Sequence, residues 1–120
     1  MPKFMLIIHS APGMWESLSP EDLQRKVEKY QAWTDQLRTS GRHVYGEKLG
    51  DEGGKVVARQ KGRLSFIDGP YSEAKEVVGG ILVFRAANFE EAIDLIRECP
   101  MLDDGKIEIR QTDPMGCGGD

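Results

Sequence analysis

Asp68-Gly69-Pro70-Tyr71-Ser72-Glu73-Ala74-Lys75-Glu76 separates two stretches that read as strands, Leu64-Ser65-Phe66-Ile67 before it and Val77 to Ala86 after it. Chain physics favours a turn between them. Glycine reaches backbone angles closed to other residues, and proline fixes φ and removes an N–H donor. Tyr71 and the charges that follow would then stand where two strands end, a usual place for a functional site on a rigid scaffold. The turn therefore sets both the strand order and the first place to look for function.

Working outward on the N-terminal side, Lys55 to Gln60 and Arg63 to Ile67 flank Lys61-Gly62, which suits a two-residue hairpin turn. That register sets Val57 against Phe66, Arg59 against Leu64 and Lys55 against Asp68. Upstream of Gly50-Asp51-Glu52-Gly53-Gly54, the stretch from His43 to Leu49 reads as another strand. Before it comes a helix. Ser19 is placed to cap it, Pro20 suits its first position, and Glu21 and Asp22 complement the positive end of its dipole. Leu23, Val27, Tyr30, Trp33 and Leu37 recur at spacings of three and four, which predicts one apolar stripe, and Gly41 marks the stop. Phe4-Met5-Leu6-Ile7-Ile8 is an unbroken apolar run, as expected of a strand covered on both faces.

On the C-terminal side, Val77 to Ala86 is a second such run, with Gly79-Gly80 suggesting a bulge or a close backbone approach. Asn88 and Glu91 have the spacing of a capping box, and Ala92, Ile93, Ile96 and Cys99 form the apolar side of a second helix that Pro100 ends. Lys106-Ile107-Glu108-Ile109-Arg110 alternates like a half-exposed strand. The order strand, helix, strand, hairpin, strand, helix, strand predicts an α+β fold: a ferredoxin-like split βαβ with an inserted β-hairpin. Two helices cover one face of such a sheet. The strands at 4–8 and 77–86 are apolar on both sides, so the other face calls for a partner, most simply a second copy.

The 120 residues suffice for one domain, taken here as 1–113 with a flexible Gly-rich tail at 114–120. With 16 basic and 20 acidic residues interspersed, the net charge is −4. No basic stripe is present to neutralise phosphates, so nucleic acid is not an expected partner. Five apolar residues at 4–8 are too few for a membrane span or a signal segment, so no membrane partner is expected. Only Cys99 and Cys117 occur, and Cys117 lies between glycines, which argues for a reducing, cytoplasmic setting. His9 and His43 stand too far apart in sequence to suggest a metal motif, and the residues call for no cofactor.

Asp68 is the leading candidate for chemistry, as a carboxylate base or anchor at a strand end. The competing structural reading has it turn the chain and pair with Lys55. Histidine is a common acid–base group near neutral pH, which makes His9 the second acid–base candidate. Tyr71, Trp15, Glu73 and Lys75 are candidate ligand-cleft residues; Glu73 and Lys75 also read as solvated turn charges. Tyr30 and Trp33 fit the helix core, which leaves Trp15, in a loop, as the better pocket aromatic. Ser72-Glu73-Ala74-Lys75 spells the nucleophile string of penicillin-binding folds, without the structural context that string requires.

Asp68-Gly69-Pro70-Tyr71, the Glu73/Lys75/Glu76 pattern and Gly79-Gly80 together resemble the DGPF signature of YCII-related proteins. The resemblance extends over roughly 1–110. It implies a ferredoxin-like subunit that pairs through its sheet into a dimeric α+β barrel, in a family without one settled activity. The namesake branch carries a histidine early in the first helix and an aspartate before a proline after the second. Here the first helix has no histidine, and Cys99 precedes Pro100. Two readings follow: a homodimer that binds a small ligand or partner between its sheets, or a small-molecule lyase or isomerase that uses Asp68 and His9.

Overall fold

A computed structural model describes residues 1–50, 53–69 and 76–114. Six strands and two helices run in the order β1 (Lys3–Ser10), α1 (Pro20–Thr39), β2 (His43–Lys48), β3 (Gly54–Gln60), β4 (Arg63–Gly69), β5 (Val77–Arg85), α2 (Phe89–Ile96) and β6 (Lys106–Gln111), with a 3₁₀ turn at Pro100–Asp103. The main sheet has the order β2-β5-β1-β6 and every neighbour is antiparallel. This α+β arrangement is compatible with the ferredoxin-like fold. β3 and β4 form a separate two-stranded sheet.

Local chemistry explains where the helices begin and end. The Ser19 hydroxyl accepts from the Asp22 N–H at 3.1 Å, and Pro20 fills the first turn where no donor is needed. At the other end Gly41 takes a φ of +75°, which lets Gly41 N donate to Arg38 O and Arg42 N to Leu37 O, the paired bonds of a glycine-closed helix. In α2 the Asn88 side chain accepts from Glu91 N at 2.9 Å. Glu91 answers by accepting from Ala87 N, one residue before the cap.

The core lies between the helices and one sheet face. Phe4 and Leu6 of β1 and Leu82 and Phe84 of β5 are fully buried against Trp33, Leu37, Ala92, Ile96 and Cys99. The predicted α2 stripe needs one correction: Ile93 is 45% exposed, and Leu95 packs against the core instead. The α1 stripe is corrected at its N-terminal half. Leu23 is exposed, and Val27 and Tyr30, which border a cavity, are only half-buried.

On the other sheet face Met5, Ile7, Ile81 and Val83 are half-buried in the single chain, the apolar face that the helices leave uncovered. Cross-strand pairing of Met5 with Val83 and Ile7 with Ile81 makes them one patch. The Gly79-Gly80 expectation holds. Ile8 pairs with Gly80 and His9 with Val78, which leaves Gly79 as the extra residue of a bulge.

The β3–β4 hairpin has the register read from its sequence, with Val57 opposite Phe66, Arg59 opposite Leu64 and Lys55 opposite Asp68. Lys61 and Gly62 both have positive φ, 50° and 79°, as a type I′ turn requires. Gly69 departs from expectation. It ends β4 without a positive φ, and its lack of a side chain serves a close approach: a Cβ there would stand 2.7 Å from Val56 Cγ2.

Candidate functional site

Beneath the middle and C-terminal part of α1 lies a cavity of about 1090 Å³, bounded by α1, the 11–16 loop, β2 and β5. α1 presents Val27, Tyr30 and Thr34 to it, spaced three and four apart and so on one helix face. β5 supplies Leu82, and the 3₁₀ turn supplies Met101. The floor is shallow in side chains because Gly46 of β2 and Gly80 of β5 both border the space.

Trp15 closes one wall. Successive turns hold its loop, with Met14 N bonded to Ala11 O, Glu16 N to Gly13 O and Leu18 N to Trp15 O. The indole packs partly against the core, and Lys48 Nζ stands 5.7 Å from its ring centroid. Its Nε1 is buried and has no hydrogen-bond partner among the described residues. Buried donors are nearly always satisfied, so this N–H is a donor in want of an acceptor. Trp33 provides the contrast: its Nε1 donates to Leu95 O at 3.1 Å.

Several titratable groups around the cavity are neutral or already engaged. Burial pushes the Tyr30 phenol up to about 12, with the nearby Cys99 adding to the rise, so Tyr30 keeps its proton. Burial, then the Arg38 charge, lowers His43 below its ordinary value and favours the neutral imidazole. Arg38 is bound by Asp35 at 2.8 Å, and Asp104 pairs with Lys26. Apolar walls with a few neutral donors are the make-up of a small-molecule pocket.

The residues singled out from sequence are distributed differently. Trp15 lines the cavity. His9 lies on β1 with Nε2 3.0 Å from Glu108 Oε1 of β6, and it does not border the cavity. The Asp68 side chain is 86% exposed and pairs with Lys55 across the hairpin, the structural reading of that residue. His9 and Asp68 thus have separate partners on separate sheets. Tyr71, Glu73 and Lys75, with Ser72, lie outside the described residues, as does Cys117. Glu76, at the end of the same stretch, pairs with Lys106 at 2.9 Å. Among the described residues no three His, Cys, Asp or Glu side chains gather as a metal site would need, and no helix is long and apolar enough to cross a membrane.

Periodicity alone assigned Tyr30 and Val27 to the core and left His43, Thr34 and Lys48 without a role. The signal that could have found them is Trp15 in a loop followed by a helix whose stripe carries the polar-tipped Tyr30.

The YCII-related domain profile matches residues 2–115, nearly the whole chain, so this protein belongs to the YCII-related family. Comparison with curated proteins returned no match.

Proposed function

We propose that this protein is a cytoplasmic, DGPF-type member of the YCII-related family that works as a homodimer and binds a small molecule. The observation that carries the reading is the 1090 Å³ cavity itself, with Trp15 on its wall and a buried Trp15 N–H that has no partner among the described residues. A pocket of this kind selects a planar, largely apolar ligand that brings a hydrogen-bond acceptor, a carbonyl or carboxylate oxygen, to the indole. The protonated Tyr30 phenol supplies a second donor of the same kind. The ligand then sits on the helix side of the sheet within one subunit, in place of the space between two sheets.

The dimer reading rests on the patch of Met5, Ile7, Ile81 and Val83, which a second sheet would cover. The family resemblance implies the same pairing, as a dimeric α+β barrel. The acid–base reading of Asp68 and His9 has less behind it, since each is occupied by a neighbouring charge and neither borders the cavity.

Only two indole N–H resonances exist, and they test the ligand site directly. On titration with 2-naphthoate, the Trp15 Nε1–H signal moves while that of Trp33, held by Leu95, stays. Both signals unmoved at millimolar 2-naphthoate, or both moving alike, would exclude this site.

A further inference from the structure

β4 has an open edge. Among the described residues it hydrogen-bonds only to β3, and the ladder from the Gly54 and Gly69 pair to the Gln60 and Arg63 pair runs without a register shift. Lys61-Gly62 is a two-residue turn, which makes Gln60 and Arg63 the closing hydrogen-bonded pair. Alternation along an antiparallel ladder then turns the main-chain N–H and C=O of Leu64 and Phe66 away from β3. The same two residues, 52% and 63% exposed, set large apolar side chains on one face, beside the exposed Val57. Ile67 is 45% exposed on the other face. Proteins blunt such edges with bulges, prolines or charges, and the stretch Leu64-Ser65-Phe66-Ile67 has none of these. No part of the hairpin belongs to the hydrophobic core, and a two-stranded ribbon is at best marginally stable in water.

Charge narrows what completes it. Residues 56–67 carry Arg59, Lys61 and Arg63 and no acid, although acids outnumber bases 20 to 16 in the whole chain. All three cations are exposed, and none has an ion-pair partner among the described residues. Lys55, at the base of the hairpin, is by contrast paired with Asp68. A lipid surface or a nucleic acid would answer the cations but supplies no backbone to a strand edge. A second copy of the hairpin would supply backbone and add three more cations. A strand that alternates apolar and acidic side chains answers the edge, the apolar face and the charge together.

We infer that the outer edge of β4 is a docking site for an extended acidic segment of another protein, which joins the hairpin as a third strand. Its apolar side chains lie beside Leu64 and Phe66, and its acidic ones meet Arg63 on the opposite face and Lys61 at the turn. Neither Leu64 nor Phe66 borders the cavity, so this docking is distinct from the binding of a small molecule.

The probe is the peptide acetyl-EVEIEVE-amide, set against acetyl-KVKIKVK-amide and against a fully N-methylated form of the acidic peptide, with binding followed by the backbone amide shifts of the protein. The acidic peptide is expected to shift the Leu64 and Phe66 amides, to protect them from hydrogen exchange, and to bind about tenfold more tightly than the basic one. An Arg59→Glu/Arg63→Glu double variant is expected to lose that preference while its core amides stay protected. The N-methylated peptide is expected not to bind, because it has no N–H to give the edge. Unmoved Leu64 and Phe66 amides at millimolar acidic peptide, or equal binding of any two of the three peptides with the acidic one among them, overturns the site. Two other results overturn it by naming a different occupant. Amides of Leu64 and Phe66 that are protected without peptide and lose protection on dilution assign the edge to a second copy. Shifts produced by phosphatidylserine vesicles and not by the acidic peptide assign it to a membrane.

Discussion

Arg42 Nη1 lies 2.5 Å from Glu91 Oε1, so the residue just before β2 is bound to the residue that closes the start of α2. The same carboxylate accepts from Ala87 N. The Arg42 bond, then the backbone bond, holds the Glu91 carboxyl below its ordinary value of 4.5. A depressed carboxyl contributes stability above its unfolded value and loses it as pH falls through the folded one. Glu91→Gln should therefore flatten the fall in stability below about pH 4.5, with urea midpoints compared at pH 7, 4 and 3. Parallel pH profiles for the two proteins would remove the coupling.

The two tryptophans should answer alike substitutions differently. Trp33→Phe leaves the Leu95 carbonyl, one of the last in α2, without its donor and should destabilise by about 1–2 kcal/mol. Trp15→Phe deletes a donor that has no partner, so its cost should be well below that of Trp33→Phe. Equal losses in chemical denaturation would mean that the Trp15 N–H is satisfied in solution.

Gly41 and Gly105 are required for different reasons. Alanine at 41 meets nothing within 4 Å but must adopt a φ of +75°, which should cost about 1 kcal/mol. Alanine at 105 would collide with the backbone carbonyl oxygen of His9, where β6 joins β1, and should cost about 1–3 kcal/mol. Reversal of that order in thermal unfolding would contradict the packing at the start of β6.

Asp68→Asn should change stability by no more than about 0–1 kcal/mol, as for other exposed ion pairs. It should leave the 2-naphthoate titration of Trp15 unchanged. Loss of binding in this variant would move the site to the hairpin and the segment beyond it.

Much of the fold was legible because short-range chemistry decides it. Ser19-Pro20, Asn88 with Glu91, and Lys61-Gly62 each specify one local geometry, and each holds. The uncovered sheet face could be inferred as well, since the runs at 4–8 and 77–86 place apolar residues on both faces of their strands. The site was harder to see. Val27 and Tyr30 carry the same period whether they meet a sheet or a void, and the void exists only because distant glycines come to lie beneath them. Asp68 drew attention as a charged residue beside a glycine and a proline, yet cross-strand pairing with Lys55 accounts for it. Gly69 was read as a conformational necessity and turned out to be a spatial one, which depends on Val56 across the ladder.

Gly46 and Gly80 give the pocket a floor made of missing atoms. Its depth can therefore be altered by adding carbon there, without disturbing Trp15, Tyr30 or the helix that carries the wall. A methyl group at 46 would press on Leu82 Cδ1 at 2.9 Å, and one at 80 on Glu47 O at 3.0 Å, so each step trades room for strain in β2 or β5.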